Sequence, residues 1–346
     1  MKALTIGSAT VDIIATIASE DIERMTLQNS DTAFLLMQPG RKVDARSITT
    51  HTGGGAVNAA VSLRRLGYDV SALVKLGNDH NSEKVLSRLE EEGIDGSAVS
   101  ICPTEATAVS VMIAAHDKNA AIFTHRGANG FLAEDDIGKE KFEGCDLVYI
   151  TNLSNRSAEL FPEICRRAKS AGAFVSANPG ILQLTQRTKP LFDSLQYVDF
   201  FSCNFEEARA LVPALVDHTG WERHTAPHPD HEDRVLEIEG FKLSLNDYFQ
   251  RMHSLGPSHI GVTDGINGSY LSKDGETHFT PSVPVEVAAT AGAGDAFAST
   301  LTACLVLGEP VDKAMLLAAQ NAASVVAQVD AQSGLLTLDA LKARIG

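Results

Sequence analysis

Residues 289–297 read ATAGAGDAF and combine two glycines, one carboxylate and the start of an apolar segment. Gly292 and Gly294 allow backbone angles and a close approach of ligand that a side chain would prevent. If a helix begins here, the free N–H groups of its first turn and its dipole favour a bound anion, and Asp295 lies beside that anion. The pattern alone also fits an ordinary glycine turn before a helix, with Asp295 interacting favourably with the helix dipole.

Two further segments carry side chains suited to ligand binding. Gly53-Gly54-Gly55 precede a helical pattern in which Asn58 lies one turn in, and such glycines suit either a ligand at close range or a flexible hinge. Asn204 and Glu207 follow a predicted strand and share one face of a first helical turn. Their oxygens suit Mg²⁺, which prefers one or two carboxylates with waters and phosphate oxygens, but they equally suit a helix N-cap and an acidic first turn.

Two more candidates follow predicted strands. Thr263, Gly265 and Gly268 belong to VTDGING, a strand end followed by a turn. Asp12 is expected just beyond the C-terminal end of the first strand. Because ligands collect at the carboxyl ends of the strands in open α/β sheets, these residues are candidates for one shared site.

The elements that must position these residues alternate between strands and helices. Continuous apolar strands such as KALTI and CDLVYI alternate with helical patterns, which predicts an α/β fold with a mostly parallel sheet covered on both faces. Polar-faced strands near residues 45–52 and 105–125 fit poorly inside that sheet and predict a small accessory sheet or lid. Residues 218–239 are charged, rich in His and Pro and weakly periodic, which predicts an exposed insertion.

The composition argues against several classes of partner and site. A formal charge of −15, from 29 basic and 44 acidic residues, argues against nucleic acid or an anionic membrane. The five cysteines form no CxxC pair and are expected to be reduced. No run approaches the roughly 18 apolar residues of a membrane span, and no signal-peptide pattern is present, so a cytoplasmic protein is expected. Neither a P-loop nor a dinucleotide fingerprint occurs, and His224, His228 and His231 favour a solvated loop over a metal site.

In this order and combination, the motifs resemble the ribokinase-like (PfkB) family of carbohydrate kinases, which also includes nucleoside kinases. The resemblance covers nearly the whole chain. The residues that match the family's four motifs are Gly53, Gly54, Asn58 and Ala59, then Asn204 and Glu207, then Thr263, Gly265 and Gly268, and finally Thr290 to Asp295. The resemblance implies one domain over residues 1–346, a three-layer α/β/α sandwich with a small β-sheet lid drawn from about 13–52 and 105–127.

The resemblance also implies an activity, the transfer of the γ-phosphoryl group of ATP to a primary hydroxyl of a small sugar or sugar acid. By it, Asp295 is the base, and Gly292, Ala293 and Gly294 shape an anion hole for the transferring group. The remaining assignments are Mg²⁺ to Asn204 and Glu207, ATP to Asn204, Thr263, Gly265, Gly268 and Asn321, and the sugar to Asp12, Gly54, Gly55, Asn58 and Arg126. The lid would close over the substrate, and in this family it often forms a homodimer interface.

One departure from the family concerns a monovalent cation. The family's usual Asp at the head of the C-terminal signature is Ala289 here, and the later stretch that supplies carbonyls to the cation reads VDAQSG. The loss of this charged ligand argues against activation by potassium.

Two other functions stay open. A nucleoside kinase on the same fold is expected to use aromatic stacking in its lid, and this chain is only 6% aromatic with one Trp. A catalytically silent sugar or nucleotide sensor is suggested by Ala289 and opposed by the intact Asp295. Arg126 suits either the carboxylate or phosphate of an acidic sugar or an exposed hairpin end.

Overall fold

The computed structural model describes residues 1–17, 23–26, 33–36, 40, 42–115, 120–220, 234–238 and 240–345. The strands, in chain order, are β1 (Lys2–Ile6), β2 (Thr10–Ile17), β3 (Glu23–Thr26), β4 (Ala33–Leu36), β5 (Ala45–Gly53), β6 (Asp69–Leu73), β7 (Lys75–Gly77), β8 (Ser100–Cys102), β9 (Ala108–Ala115), β10 (Ala120–His125), β11 (Leu147–Ile150), β12 (Phe174–Ala177), β13 (Phe200–Asn204), β14 (Val235–Ile238), β15 (Phe241–Ser244), β16 (His259–Thr263), β17 (Ser269–Lys273) and β18 (Glu276–Thr280). The helices are α1 (Gly55–Arg65), α2 (His80–Glu91), α3 (Phe161–Ser170), α4 (Ile181–Gln186), α5 (Thr188–Ser194), α6 (Phe205–Thr219), α7 (Leu245–Ser254), α8 (Ala293–Val306), α9 (Val311–Val326) and α10 (Leu338–Ile345). Within these described ranges, no helix combines the length and apolar character needed to cross a bilayer.

An eight-stranded sheet forms the centre of the molecule, in the order β18-β17-β16-β13-β12-β11-β1-β6. The strands from β16 to β6 are parallel to one another, whereas β17 and β18 extend the edge as an antiparallel hairpin. Every residue of β11, with the sequence LVYI, is buried, as expected of a parallel strand covered on both faces. The predicted mostly parallel α/β sheet is therefore confirmed.

Alternate residues of each central strand face opposite helical layers. In β11, Val148 and Ile150 pack in one cluster with α3 to α7, and Leu147 and Tyr149 pack in another with α1, α2, α8, α9 and α10. The side-chain period of two in a strand directs neighbouring residues to opposite faces. The result is the three-layer α/β/α sandwich expected from the sequence.

A separate four-stranded sheet, in the order β10-β9-β2-β5, is called the lid below. One lid face carries Asp12 with its register partners His51 on β5 and Ser110 on β9. The opposite face carries apolar side chains, among them Ile48 (67% exposed) and Phe123 (58% exposed). The lid therefore has one face with polar groups and one uncovered apolar face.

Both ends of the segment 218–239, which is expected to be an exposed insertion, belong to regular secondary structure. Helix α6 continues to Thr219, and β14 pairs with β15 and buries Leu236. Residues 221–233, which contain His224, His228 and His231, lie outside the described residues. At the β14 end, Leu236 joins the hydrophobic core, while Val235 and Glu237 are exposed.

Candidate active site

The two glycines of the turn before α8 differ in their surroundings, because protein atoms crowd Gly292 and leave free space at Gly294. Gly292 caps the N-terminus of α8 with φ 81°, in the left-handed region. A Cβ at this position would lie 2.4 Å from the Cβ of Ala331, so glycine meets both the backbone and the space requirement. Gly294 is exposed, and beyond its own helix and chain neighbours nothing lies within 4 Å of a Cβ built there. A ligand therefore has room at Gly294.

The first N–H groups of α8 are available to such a ligand. The N–H of Ala296 donates to Gly292 O at 2.9 Å and starts the helical ladder, while Ala293 N–H makes a long 3.4 Å contact with Thr290 O. In the described part of the chain, the N–H groups of Gly294 and Asp295 meet no acceptor. Two donors at the positive end of a helix form a place where an anion such as a phosphoryl group binds.

Asp295 lies in the first turn of α8, partly buried and beside these donors. Its Oδ2 accepts a 2.9 Å hydrogen bond from Nδ2 of Asn58, which is on α1. Burial raises the pKa of the Asp295 carboxyl, the bond from Asn58 partly offsets this rise, and the charge of Asp12 adds to it. A carboxylate whose pKa is raised toward neutrality has the property expected of a general base.

The glycines before Asn58 allow close packing at the start of α1. Gly54 has φ 90°, and a Cβ there would lie 2.6 Å from Ser8 O, while a Cβ on Gly55 would lie 2.9 Å from the Thr151 side chain. The N–H of Gly55 donates to Ser8 Oγ at 3.0 Å. Contact with the segments after β1 and β11 thus fixes α1 and directs Asn58 toward the site. On the Cβ side of Gly54 and Gly55, protein atoms fill the space.

Asp12 lies inside β2, in the lid, and not in a loop after β1 as the sequence suggested. Its carboxylate accepts hydrogen bonds from Thr10 Oγ1, at 3.1 Å, and from Ser110 Oγ. Gly53 makes room for it, since a Cβ there would lie 2.0 Å from Asp12 Oδ2. Burial raises the pKa of Asp12, whereas these hydrogen bonds lower it. The charge of Asp12 also acts on Asp295, raising its pKa, so the two carboxyls influence each other electrostatically.

Arg126 lies just after β10 and is partly buried. Its Nη1 donates to Ser154 Oγ at 3.1 Å, and no carboxylate of the described residues forms an ion pair with it. Nearby, Asn129 holds the turn between β1 and β2 through two 3.0 Å bonds with the backbone N–H and C=O of Ala9. Among the described residues, the guanidinium of Arg126 therefore has a hydroxyl partner in the segment after β11 and no carboxylate partner.

The candidate nucleotide residues share one edge of the central sheet. Asn204 and Thr263 are register partners at the carboxyl ends of β13 and β16. Gly265 and Gly268 follow with φ 53° and 102°, both left-handed. A Cβ on Gly268 would lie 2.5 Å from Thr280 O, whereas nothing lies within 4 Å of one on Gly265. The turn therefore requires glycine at position 268, and there is free space next to Gly265.

Asn321 has a different environment. It is 0% exposed within α9, its Nδ2 donates to Thr300 Oγ1 at 2.8 Å, and its Oδ1 accepts from Leu336 N–H at 2.9 Å. Both ends of its amide are thus bound to protein. This geometry supports a role in joining α8, α9 and the segment before α10, and it does not support the nucleotide contact expected from the sequence.

Asn204 and Glu207 form a reciprocal cap at the start of α6. Asn204 Oδ1 accepts from Glu207 N–H at 2.8 Å, and Glu207 Oε2 accepts from Asn204 N–H at 2.9 Å. Burial and the charge of Asp295 raise the pKa of Glu207, although the bond with Asn204 lowers it. No described Lys or Arg forms an ion pair with Glu207, so a divalent cation would relieve this unfavourable charge, and the pair fits Mg²⁺. Since the described residues contain no cluster of three or more metal-binding side chains, waters and phosphate oxygens would complete the coordination.

Several residues without a recognisable motif also shape the site. Ser110 bonds Asp12, Asn129 fixes the β1–β2 turn, and the buried Gln332 donates to Asn58 Oδ1 at 3.0 Å. Each acts on a residue far away in sequence, and no local pattern marks Asn129 or Gln332. Ser110 has a weak sequence signal, because the alternation of its strand places it on one face together with Ala108 and Met112.

The chain matches one protein family over most of its length. A profile described as pfkB family carbohydrate kinase matches residues 22–338. Ribokinase from Bacillus subtilis is 26% identical over 306 residues, covering 86% of this chain and 89% of that protein. Deoxyribokinase from Salmonella typhi is 26% identical over 333 residues, covering 94% of this chain and 96% of that protein.

Solved structures share the fold across the whole chain. A putative ribokinase II from E. coli has a TM-score of 0.77 at 19% identity, covering 99% of this chain and 98% of that one. A nucleoside kinase from Methanocaldococcus jannaschii has a TM-score of 0.73 at 21% identity, covering 100% of this chain and 98% of that one. With the ribokinase fold present and the family profile matched over residues 22–338, the chain belongs to the pfkB family of carbohydrate kinases.

Proposed function

We propose that this phosphotransferase moves the γ-phosphoryl group of ATP to a primary hydroxyl of a small sugar or sugar acid. One observation carries the proposal: Asp295, with its raised pKa, shares the first turn of α8 with two N–H groups that meet no acceptor in the described residues. A proton acceptor and an anion site within one helical turn are what phosphoryl transfer to a hydroxyl requires.

In the proposed mechanism, Asp295 accepts the proton of the attacking hydroxyl. Because Asn58 donates to Oδ2, the carboxylate is held in one orientation and Oδ1 is left for the hydroxyl. A base positioned in this way contributes roughly 10²–10⁴-fold to the rate. The N–H groups of Gly294 and Asp295, aided by the helix dipole, stabilise negative charge on the transferring group. Gly292 and Ala293 provide the turn that aims them.

The nucleotide is proposed to bind at the carboxyl ends of β13 and β16. Thr263 and the open turn at Gly265 would contact its phosphates and ribose, with Gly268 shaping the turn. Asn204 and Glu207 would hold Mg²⁺, largely through waters, and the ion supplies neutralisation of phosphate charge. The raised pKa of Glu207 supports this, because that carboxyl lacks a cationic partner among the described residues.

The acceptor is proposed to lie between the lid and α1. Asp12 and Asn58 would bind its hydroxyls, and the lid strands would exclude water during transfer. Arg126 supports an acidic acceptor in particular, because its guanidinium has no carboxylate partner in the described residues and its fork matches a carboxylate. Replacing Arg126 by Leu should then raise KM for a sugar acid and leave KM for the corresponding neutral sugar nearly unchanged.

A nucleoside acceptor is the second candidate, supported by the fold shared with the nucleoside kinase. The described lid strands disfavour it, because their one Phe, Tyr or Trp is Phe123, which lies in register with Ile13 on the face opposite Asp12. A base bound beside Asp12 would find no Phe, Tyr or Trp ring to stack on in these strands.

The experiment that tests the function is a screen for ATP consumption. The panel contains ribose, deoxyribose, fructose, sugar acids, sugar phosphates and nucleosides, each assayed with MgATP and with Asp295→Asn as the inactive control. Turnover with one class above the Asp295→Asn rate supports the proposal and identifies the acceptor. If no compound exceeds that rate, the kinase proposal fails and a sensor on the same scaffold gains support.

The lid supports a homodimer as the proposed assembly. Ile48 and Phe123 lie on its apolar face at 67% and 58% exposure, and a second copy of the same sheet would cover them. Phe123→Glu should convert a dimer to a monomer in light scattering after size exclusion, whereas Ile266→Glu, at an exposed position on the central sheet's turn, should not. A monomeric wild-type protein at micromolar concentration would contradict this assembly.

Catalysis without a monovalent cation is also proposed. In place of a charged ligand at Ala289, the N–H groups of Ala288 and Ala289 donate to Val326 O at 2.7 and 3.2 Å. The loop after α9 is held by Asp330 Oδ1, which accepts from the N–H groups of Gln332 and Ser333 at 2.8 Å each. These internal bonds fix the two segments that a cation would otherwise join.

A further inference from the structure

We propose that Gln332 is a positioning residue, which fixes the direction of the Asn58 amide so that Asn58 donates to Asp295. The inference rests on the proposed function, in which Asp295 is the base. Gln332 lies in the loop after α9, carries no motif and is 3% exposed. Its importance follows from what its side-chain amide contacts.

A continuous chain of hydrogen bonds leads from Gln332 to the carboxylate. Nε2 of Gln332 donates to Asn58 Oδ1 at 3.0 Å, and Nδ2 of Asn58 donates to Asp295 Oδ2 at 2.9 Å. Asn58 is itself buried, at 6% exposure. The orientation of the Gln332 side-chain amide therefore determines the orientation of the Asn58 side-chain amide.

The far side of the Gln332 amide sets that direction. Its Oε1 accepts from Arg88 Nε at 3.0 Å and from Thr52 Oγ1 at 3.3 Å, while Nε2 also donates to Thr52 O at 3.0 Å. An arginine can only donate and a backbone carbonyl can only accept. The amide of Gln332 is thus held with its NH₂ group toward Asn58, which in turn must present its own NH₂ group to Asp295.

The loop that carries Gln332 is held by hydrogen bonds within the protein. Arg65 Nη1 donates to Gln332 O at 3.1 Å and to Leu335 O at 2.7 Å, and Asp330 holds the N–H of Gln332. The neighbouring Ala331 packs against Gly292 at the start of α8. One loop thus supports both the anion-binding turn and, through Asn58, the base.

The charges around Asp295 show what the Asn58 donor does. Asp12 on β2 raises the pKa of Asp295, and Glu207 on α6 and the Tyr149 hydroxyl on β11 interact electrostatically with its carboxylate. On the Gln332 side, the charge of Arg88 is paired with Glu91 and Glu92, and His51 faces Asp330. If the Asn58 amide turned, Asp295 would lose the hydrogen bond that lowers its pKa, while burial and the charge of Asp12 would still raise that pKa.

The test uses Gln332→Met, which keeps side-chain length and removes both the donor and the acceptor without adding charge. Gln328→Met is the matched control, since Gln328 is exposed in the same loop. The first readout is the side-chain NH₂ resonance of Asn58 in ¹⁵N NMR spectra of the free protein, assigned by its absence in Asn58→Ala. In the wild-type protein, the chemical shift of this resonance should change with pH as the Asp295 carboxylate titrates. In Asp295→Asn, that change should be absent.

In Gln332→Met we expect this titration to move to higher pH or disappear, and in Gln328→Met to stay as in wild type. The second readout is kinetic, with MgATP and the most rapidly phosphorylated compound of the panel. At neutral pH, kcat should fall by about tenfold or more, the loss expected for one hydrogen bond to a charged group, and the acid limb of the pH profile should move upward. KM for ATP should change little.

A double-mutant cycle separates positioning from general stabilisation. In the Asn58→Ala background, Gln332→Met should lower kcat no further, because its effect passes through Asn58. An additional loss of similar size there, or an Asn58 titration identical in wild type and Gln332→Met, overturns the proposal. Melting temperatures of all variants identify those that fail to fold.

The two proposals fail separately. If the NMR titration responds as expected while no compound of the panel is phosphorylated, positioning holds and the proposed function fails. If the wild-type protein phosphorylates a compound and Gln332→Met has the same kcat and pH profile, the positioning role alone is overturned.

Discussion

Replacing Asp295 by Asn is expected to separate activity from stability. The variant keeps the side-chain size and an oxygen that can accept the bond from Asn58, but it loses the proton acceptor. For a positioned general base, we expect kcat to fall roughly 10²–10⁴-fold, which corresponds to about 3–5 kcal/mol of transition-state stabilisation.

Stability is expected to change in the opposite direction. Burial and the charge of Asp12 raise the pKa of Asp295 above that of an Asp in the unfolded chain. The folded protein therefore binds this proton more tightly, and the associated stability is present below the unfolded pKa and lost as the pH rises through the folded pKa. At any pH above its folded pKa, the wild type buries a charge at Asp295 that the Asn variant lacks. The Tm of Asp295→Asn should equal or exceed that of wild type there, and the difference should shrink as the pH is lowered through this window.

The assay combines steady-state kinetics at saturating ATP with melting curves across a pH series. Asp217→Asn is the matched control, because Asp217 is exposed on α6 and the substitution is chemically identical. The reasoning is refuted if Asp295→Asn keeps more than about a tenth of kcat, or if its Tm falls below that of wild type at neutral pH while Asp217→Asn is unaffected.

Three further substitutions or conditions test the site. Gly292→Ala should lower kcat/KM by about 10²–10³-fold, as for the loss of an oxyanion donor, because the new Cβ would clash with Ala331. Gly308→Ala is the control, because Gly308 also has a left-handed backbone but has no atom within 4 Å of a Cβ built there, and it should not lower kcat/KM. Similar losses in both variants would contradict this prediction. Glu207→Gln should raise the Mg²⁺ concentration for half-maximal activity, while Glu206→Gln should not, and identical Mg²⁺ curves would remove Glu207 from the metal site. Replacing potassium by sodium should leave the rate nearly unchanged, and a strong potassium requirement would refute the interpretation of Ala289.

The fold and the glycine turn before α8 could be predicted because their determinants are local. Continuous apolar strands alternating with helical patterns specify a covered parallel sheet, and β11 follows that rule with every residue buried. Gly292, Gly294 and Asp295 stand together in sequence as they stand together in the structure. A local pattern is sufficient where the residues that make a site are neighbours in the chain.

Other parts of the site could not be predicted because they depend on contacts between distant segments. Gln332 meets Asn58 across 274 positions, and nothing in VDAQSG marks a buried amide. The family resemblance implies a nucleotide contact for Asn321, but the position of Asn321 on α9 buries its side chain against Thr300. Asp12 was expected after the first strand, but it belongs to β2, which begins at Thr10 after a short turn.

The hydrogen bonds around Asp295 and Gln332 join segments that are far apart in the polypeptide. Asn58 and Asp295 are 237 positions apart, and Thr52 and Gln332 are 280 apart. A contact between residues so far apart in sequence closes a long loop, and the chain loses conformational entropy before the contact contributes any favourable free energy. Such contacts therefore form late and slow the folding of the domain. During synthesis, the amino-terminal part can adopt α1 and the lid strands long before α8 and the loop after α9 exist. A chain whose synthesis has not yet reached α8 therefore cannot form the contact between Asn58 and Asp295.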